Sequence, residues 1–245
     1  MSGTTVDLNW IFGTAQDDDL KGTVGSETTD IFFGFGGDDK FVGFGGNDYI
    51  FGGWGNDTLL GGRGNDFISG GSGNDFISGG LGNDTLFGGL GNDTLFGGSG
   101  DDIIYDYEGN NFLSGGWGND TLVVGHGDSM LSGGCGQDTF VLTNHLPINV
   151  HDQQVPVNDI EVKAEILDFN LCYDKISFNI GKDTDGDGIR DTFLQSRDEL
   201  DLSFNQWGDA VFSSEEWGVE LTLTGISQYD MNWIDHYGIE LFDFA

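Results

Sequence analysis

From Gly34 to Val141 one nine-residue unit follows another twelve times without a slip in register. The pattern is G-G-x-G-x-D-x-U-x, with U a large apolar residue. Gly52-Gly53-Trp54-Gly55-Asn56-Asp57-Thr58-Leu59-Leu60 is one copy and Gly79-Gly80-Leu81-Gly82-Asn83-Asp84-Thr85-Leu86-Phe87 another. The eighth position is apolar in every unit: Phe41, Ile50, Leu59, Ile68, Ile77, Leu86, Leu95, Ile104, Leu113, Leu122, Leu131 and Phe140. The sixth is Asp in ten: Asp39, Asp48, Asp57, Asp66, Asp75, Asp84, Asp93, Asp102, Asp120 and Asp138. So short a period, kept over so many copies, implies a solenoid whose units bury their apolar side only against their neighbours.

The unit also predicts its own geometry. Glycines at positions one, two and four allow positive φ angles and close backbone approach. The last three residues alternate out, in, out, as a short strand does. Position eight then points inward, and the stack of these side chains is the core. One unit makes a turn and a strand, so eighteen residues complete a circuit and unit i lies on unit i+2. Stacking puts the sixth-position carboxylates in two columns. One edge carries Asp48, Asp66, Asp84, Asp102, Asp120 and Asp138 unbroken; the other carries Asp39, Asp57, Asp75 and Asp93, then Asn111 and Ser129. Both departures fall at the C-terminal end of one edge, where the downstream segment is expected to cover the corner instead of an ion.

Carboxylates stacked at the strand spacing of about 4.8 Å repel by about 0.9 kcal/mol in bulk water, and by several kcal/mol at an effective dielectric near 20. Cations between neighbours turn that repulsion into ligation. The turn offers only carboxylate and backbone carbonyl oxygens, with room for about six donors in a flexible arrangement, which selects Ca²⁺. Five full sites are expected on the unbroken edge and three on the other, about eight ions in all, with a weaker site at Asp93/Asn111. A single Asn-Asp in a loop would more simply cap its own turn; ten in register would not.

These residues resemble the RTX family of bacterial exported proteins, whose nonapeptides form a calcium-filled parallel β-roll, a right-handed β-solenoid. The resemblance covers nearly half of the chain. It implies that each ion sits between turns i and i+2, held by both Asp side chains and by alternate turn carbonyls. The carbonyl donors it implies are Gly53, Gly55, Gly62, Gly64, Gly70, Gly71, Gly73, Gly79, Gly80, Gly82, Gly89 and Gly91. Gly53, Gly55 and Gly70, for example, would serve the site of Asp57 and Asp75.

Charge narrows the partners. With 8 basic and 42 acidic residues the formal net charge is −34, and no Lys or Arg occurs between Arg63 and Lys163. Nucleic acid and an anionic membrane surface would both be repelled. Without calcium the repeats combine high charge with one thin stripe of core, a composition that favours disorder. Extracellular calcium modules bind at roughly 10⁻⁴–10⁻³ M, so the roll is expected to be unfolded in a low-calcium cytosol and folded outside. Met1 to Trp10 has neither a basic nor an apolar region of a secretory leader, and no apolar stretch reaches transmembrane length. Members of the resembled family leave by a type I channel using an uncleaved C-terminal signal. The acidic, apolar end Gly238–Ala245 is compatible with one, and Met1 reads as the start of the gene product.

Outside the repeats the pattern frays. Residues 1–33 read as a worn start of the coil: Gly13-Thr14, Asp18-Asp19-Leu20 and Asp30-Ile31-Phe32 keep pieces of the unit, and Gly22 to Phe33 breaks the period by three residues. Residues 34–141 are the roll, and 142–245 are expected to form a β-rich cap. Within the cap, Thr143 to Asp159 holds both prolines and reads as a loop. Glu165-Ile166-Leu167-Asp168-Phe169, followed by Asp174-Lys175-Ile176-Ser177-Phe178, resembles the I-x-D-F…D-x-I segment after the roll in serralysin-type proteases and alginate epimerase R-modules, with Cys172 where the family usually has Gly. Strand-like runs follow at 201–204, 210–213 and 219–223. Asp183, Asp185, Asp187 and Asp191 have the spacing of a short EF-hand-type loop lacking its final bidentate Glu. It resembles the calcium loops of dockerin or thrombospondin type 3 repeats and implies one further ion. Cys135 and Cys172 either pair or remain two small thiols.

No catalytic constellation emerges. H-E-x-x-H and G-x-S-x-G do not occur, and His126, His145, His151 and His236 lack ligand spacing. Tyr49, Phe51, Phe67, Phe87, Ile103 and Tyr105 occupy positions seven and nine of alternate units and so face outward on one sheet, with Trp54 and Trp117 at turn tips. Either the cap or a second subunit covers that face, or it is a sugar-stacking or adhesive surface. The expected fold is an all-β parallel β-roll with a C-terminal β-rich capping domain. The leading functional expectation is a secreted, non-enzymatic calcium-binding protein that folds on export and has a matrix or surface partner. The alternatives are an accessory secretion, folding or polysaccharide-binding module of an RTX hydrolase or epimerase system, and an undetected polysaccharide-active enzyme.

Overall fold

The computed structural model describes residues 8–25, 28–144, 161–170, 173–182, 192–193, 200–228, 230–231 and 242–244. Each repeat forms a six-residue strand that begins at position seven and runs through position three of the next unit, as in Tyr49–Trp54, Thr58–Arg63 and Phe67–Ser72. Successive strands alternate between two sheets, and from Thr29–Gly36 to Phe112–Trp117 each strand pairs in parallel with the one eighteen residues on. The strand Thr121–Cys135 crosses the turn without a break, its first part in one sheet and its last part in the other.

Position eight points inward throughout. Phe41, Ile50, Leu59, Ile68, Ile77, Leu86, Leu95, Ile104, Leu113, Leu122, Leu131 and Phe140 are all fully buried and form one continuous core. Burying each contributes about 1.5–3 kcal/mol, and the columns leave no other place for an apolar core between the sheets. Position one is also buried, so its glycines face the interior beside the apolar column.

The stack extends beyond the regular repeats at both ends. Leu8–Phe12 pairs with Thr29–Gly36 and Asp19–Lys21 with Lys40–Gly45, so Ile11 and Leu20 continue the inward columns. The three extra residues lie in the turn between Gly22 and Asp30, and the strands on either side keep their register. Downstream, Val162–Ile166 and Lys175–Asn179 stack in parallel on Thr121–Cys135 and Thr139–Thr143, placing Ile166 on Leu131 and Ile176 on Phe140. Val219–Leu223 stacks on Val162–Ile166 and starts an antiparallel meander with Ala210–Ser214 and Asp201–Phe204. Asp183, Asp185, Asp187 and Asp191 lie outside the described residues, as do Cys172 and residues 145–160. Cys135 is exposed as a free thiol.

Candidate metal centre

Glycine chemistry makes the turns possible. Positions two and four have positive φ, for example Gly53 at 117° and Gly55 at 126°, whereas position one does not. Phe35 and Phe44 adopt the same region at position two, at 73° and 72°. Close approach is the second reason for glycine. The carbonyls of Gly53, Gly62, Gly71 and Gly80 lie against Gly71, Gly80, Gly89 and Gly98 of the next coil, where a Cβ would collide with them. Those of Gly55, Gly64, Gly73, Gly82 and Gly91 lie likewise against the next position four.

With the coils so close, the sixth-position Asp side chains line the interior of each edge. In one column the Oδ1 of each Asp accepts the backbone N–H of the Asp eighteen residues earlier. Asp48 donates to Asp66, Asp66 to Asp84, Asp84 to Asp102 and Asp102 to Asp120, at 2.7–2.8 Å. The other column runs from Asp39 through Asp57 and Asp75 to Asp93 in the same way. An exposed ladder at position five runs in the opposite sense: Asn65 N–H donates to Asn47 Oδ1 and Asn74 N–H to Asn56 Oδ1, at 2.9 and 2.8 Å. The sequence signal for that ladder is Asn at eight of twelve fifth positions.

The second carboxylate oxygen is the informative one. Oδ2 of Asp39, Asp48, Asp57, Asp66, Asp75, Asp84, Asp93, Asp102 and Asp120 is buried without a hydrogen-bond partner. A buried carboxylate oxygen left in this way is strongly unfavourable as an anion. Those of Asp39, Asp48, Asp57, Asp66, Asp75 and Asp102 face a gap between coils that a glycine carbonyl oxygen also lines. At the point where a Cβ on Gly52 would lie, Asp57 Oδ2 and Gly70 O converge, the latter at 2.7 Å. Gly79 O meets Asp66 Oδ2 beside Gly61 in the same way, also at 2.7 Å. Burial pushes Asp84 up to about 8, Asp66, Asp75 and Asp102 to about 7, and Asp48, Asp57 and Asp120 to about 6. Backbone N–H donors oppose the rise, and neighbouring carboxylates add to it.

The donor set fits a hard, oxygen-seeking cation. Among the described residues no three His, Cys, Asp or Glu side chains converge as a ligand cluster, so each gap combines carboxylates with carbonyls rather than imidazole or thiolate. That chemistry matches Ca²⁺.

Several acids outside the regular units belong to the same device. Asp18 and Asp30 begin the columns, donating their N–H groups to Asp39 and Asp48, and Asp174 ends one by accepting from Asp138 at 3.0 Å. Asp168 closes the last turn, accepting from Ser132 Oγ at 2.7 Å and from the N–H groups of Gly133 and Gly134 at 2.9 Å. The fragments of pattern around Asp18 and Asp30, and the I-x-D-F and D-x-I runs, were the only signals for them. At the corner of Asn111 and Ser129 the interior is filled by Val124, Leu142 and Phe178, all fully buried. Leu142 and Phe178 belong to the segment downstream of the repeats, which thus supplies part of that filling.

The predicted outward aromatics form a ladder on one sheet. Phe33, Phe51, Phe67, Phe87 and Tyr105 follow one another with ring centroids 4.9–5.8 Å apart. They line a groove of about 770 Å³ whose floor includes Gly53, Gly71 and Gly89, with Phe35 and Tyr107 also in its lining. Trp54 and Trp117 are 72% exposed.

A family model described as the RTX calcium-binding nonapeptide repeat, in four copies, matches residues 24–59, 51–86, 60–95, 87–122 and 115–141. No curated protein sequence matches the chain. Among solved structures, the AlgE6R3 subunit of the Azotobacter vinelandii mannuronan C5-epimerase is 26% identical, covering 66% of this chain and 78% of its own, with a TM-score of 0.32. The extracellular lipase LipA from Serratia marcescens is 18% identical over 99% of this chain and 40% of its own, with a TM-score of 0.30. Two carboxylate columns in glycine turns, and a family match spanning those turns, show that this chain carries RTX calcium-binding nonapeptide repeats over residues 24–141.

Proposed function

We propose that the protein is a secreted, non-enzymatic calcium-binding protein whose roll folds when it meets extracellular calcium. The observation that carries this reading is the double column of buried Asp oxygens with no partner. On this reading the ligands are the pairs Asp48/Asp66, Asp66/Asp84, Asp84/Asp102, Asp102/Asp120 and Asp120/Asp138 on one edge. Asp39/Asp57, Asp57/Asp75 and Asp75/Asp93 serve the other, all with turn glycine carbonyls. Bound Ca²⁺ would supply positive charge to carboxylates that burial otherwise disfavours. At ten times the site Kd, about eight such sites add about 11 kcal/mol, comparable to the whole stability of a domain. The loop of Asp183, Asp185, Asp187 and Asp191 is proposed as one more site, and export through a type I channel follows from the same logic of compartment.

Circular dichroism and thermal melting during a calcium titration test the reading, with magnesium as control and chelator to reverse it. A cooperative gain of β-structure at submillimolar to millimolar Ca²⁺, absent with Mg²⁺, is the expected result. A chain equally folded in chelator would refute the switch.

The aromatic groove favours a second reading, that the folded roll also holds a polysaccharide chain. Its lining carries one charged residue, Glu108, and repeats its rings at the strand spacing, which suits the apolar faces of neutral sugars. Affinity electrophoresis against neutral and acidic glycans, with Phe87→Ala and Tyr105→Ala as controls, tests it. Retardation by no glycan would end it.

A further inference from the structure

Three of the four column ends are closed by backbone donors. Asp18 Oδ2 accepts from Thr14 N–H at 2.6 Å, Asp30 Oδ2 from Thr23 N–H at 2.6 Å, and Asp174 Oδ2 from Asn170 N–H at 2.7 Å. The fourth end, at Asp93, has no such donor, and its Oδ2 is unpartnered. The next coil offers Asn111 in place of Asp. Its Oδ1 accepts the Asp93 N–H at 2.9 Å, and its Nδ2 donates to the Glu108 carbonyl at 3.3 Å, so the amide is already engaged.

The same unit departs from the pattern a second time. At its first position, glycine in ten of the twelve units, stands Asp106. First positions point inward, and Asp106 is 1% exposed with both carboxylate oxygens unpartnered. Beside Gly34, Gly43, Gly52, Gly61, Gly70 and Gly97 the point where a Cβ would lie sees one Asp oxygen and the carbonyl of the next coil, as Gly70 sees Asp75 and, at 2.7 Å, Gly88 O. Beside Gly88 it sees Asp106 Oδ2 and, at 2.6 Å, Asp93 Oδ2. The acid missing from position six has in effect moved to position one, with its oxygen in the same gap. Val124 follows Asp106 in register, and that inward column is apolar from there on, through Leu142 and Phe178.

We propose that Asp93 and Asp106 are the carboxylate ligands of a ninth calcium site within the roll, which terminates the shorter ion column against the apolar core. The inference rests on the reading of the columns as calcium sites. Two buried carboxylates facing one gap need a cation or a shared proton, and no Lys or Arg lies between Arg63 and Lys163 in the sequence to serve.

Calcium stoichiometry decides the matter, measured on the full chain by isothermal titration and by native mass spectrometry. Asp106→Asn should bind one ion fewer than the unaltered chain. Asp106→Gly, which restores the usual first-position residue, repeats the comparison should the amide disturb packing. Asp106→Gly combined with Asn111→Asp restores the usual residues at positions one and six and should recover the lost ion. If both single variants bind as many ions as the unaltered chain with the same affinities, the pair shares a proton and the ninth site is overturned. Failure of the double variant to recover the ion overturns the relocation of the ligand. An unaltered chain that binds no calcium would refute the underlying reading instead, so the two failures are distinguishable.

Discussion

Asp84→Asn should change the stability of this protein in opposite directions with and without calcium. In the structure Asp84 Oδ1 accepts the N–H of Asp66 at 2.8 Å, and its Oδ2 is buried without a partner. The chain itself shows how an amide sits there. Asn111 keeps the column hydrogen bond and turns its Nδ2 to the carbonyl three residues upstream, which for residue 84 is that of Leu81. In chelator, therefore, the substitution removes a buried, unsatisfied charge and should stabilise whatever roll forms by about 1–3 kcal/mol. In calcium it takes one carboxylate from two adjacent gaps. At ten times the site Kd each gap contributes about 1.4 kcal/mol, so about 3 kcal/mol is lost. For a 245-residue chain the unfolding entropy is about 0.5 kcal/mol/K, which makes this a fall in Tm of about 6 °C. Asp39→Asn, which belongs to a single proposed ion pair, touches one such gap and should lose about half as much. Melts at mildly alkaline pH, in calcium and in chelator with sucrose to populate the ion-free roll, measure all three effects. Equal losses for the two variants in calcium would sink the reasoning. So would destabilisation by Asp84→Asn in both conditions, because the carboxylate would then act through its hydrogen bonds alone.

Acidification supplies a second check. Folding raises Asp48, Asp57 and Asp120 to about 6 and Asp66, Asp75 and Asp102 to about 7. The folded state thus binds more protons than the unfolded chain. Ion-free stability is then lost as pH rises through 6 to 8 and regained as it falls, and circular dichroism in chelator should show more β-structure at pH 5 than at pH 8. Gly73→Ala places a Cβ against the Gly55 carbonyl at a φ of 135°. It should cost more stability in urea unfolding than Gly208→Ala, at a φ of 90° with open space around it. Ile77→Ala should lower unfolding free energy by about 2–5 kcal/mol through the cavity it leaves. Asp168→Ala should cost about 1–3 kcal/mol by freeing the N–H groups of Gly133 and Gly134, measured in the same way.

The regular units were legible because their period carries both signals at once, an apolar residue at eight and an acid at six. Those positions stack as the spacing demands, and Asp57 and Ile77 stand where a reader of the sequence would put them. The ends were harder. Asp30 keeps its column although three extra residues precede it, because the turn between Gly22 and Asp30 takes up the insertion. Asp174 lies 36 residues beyond Asp138 rather than 18, so no fixed period reaches it. Asp106 was hidden for another reason. It stands at a glycine position, where an acid reads as decay of the motif, and only the inward direction of position one shows where its carboxylate goes. Phe178 and Leu142 were hidden likewise, since continuation of the coil without its glycines leaves no motif to recognise.

The inward column at position one changes along the molecule, from Gly34, Gly52, Gly70 and Gly88 through Asp106 to Val124, Leu142 and Phe178. That gradient gives the solenoid a direction of growth. Coils beyond Val124 bury two apolar side chains per strand on that sheet, whereas earlier coils bury one and leave acids exposed to each other. Starting a stack is its most costly step, because the first coil has no neighbour to pack against. The end where one edge packs apolar side chains in place of ions is the natural template, and coils are then added from the C-terminal side toward the N-terminus, each new turn finding a formed edge to pair with. After a rapid calcium jump, probes near Trp117 should therefore report order before probes near Trp10.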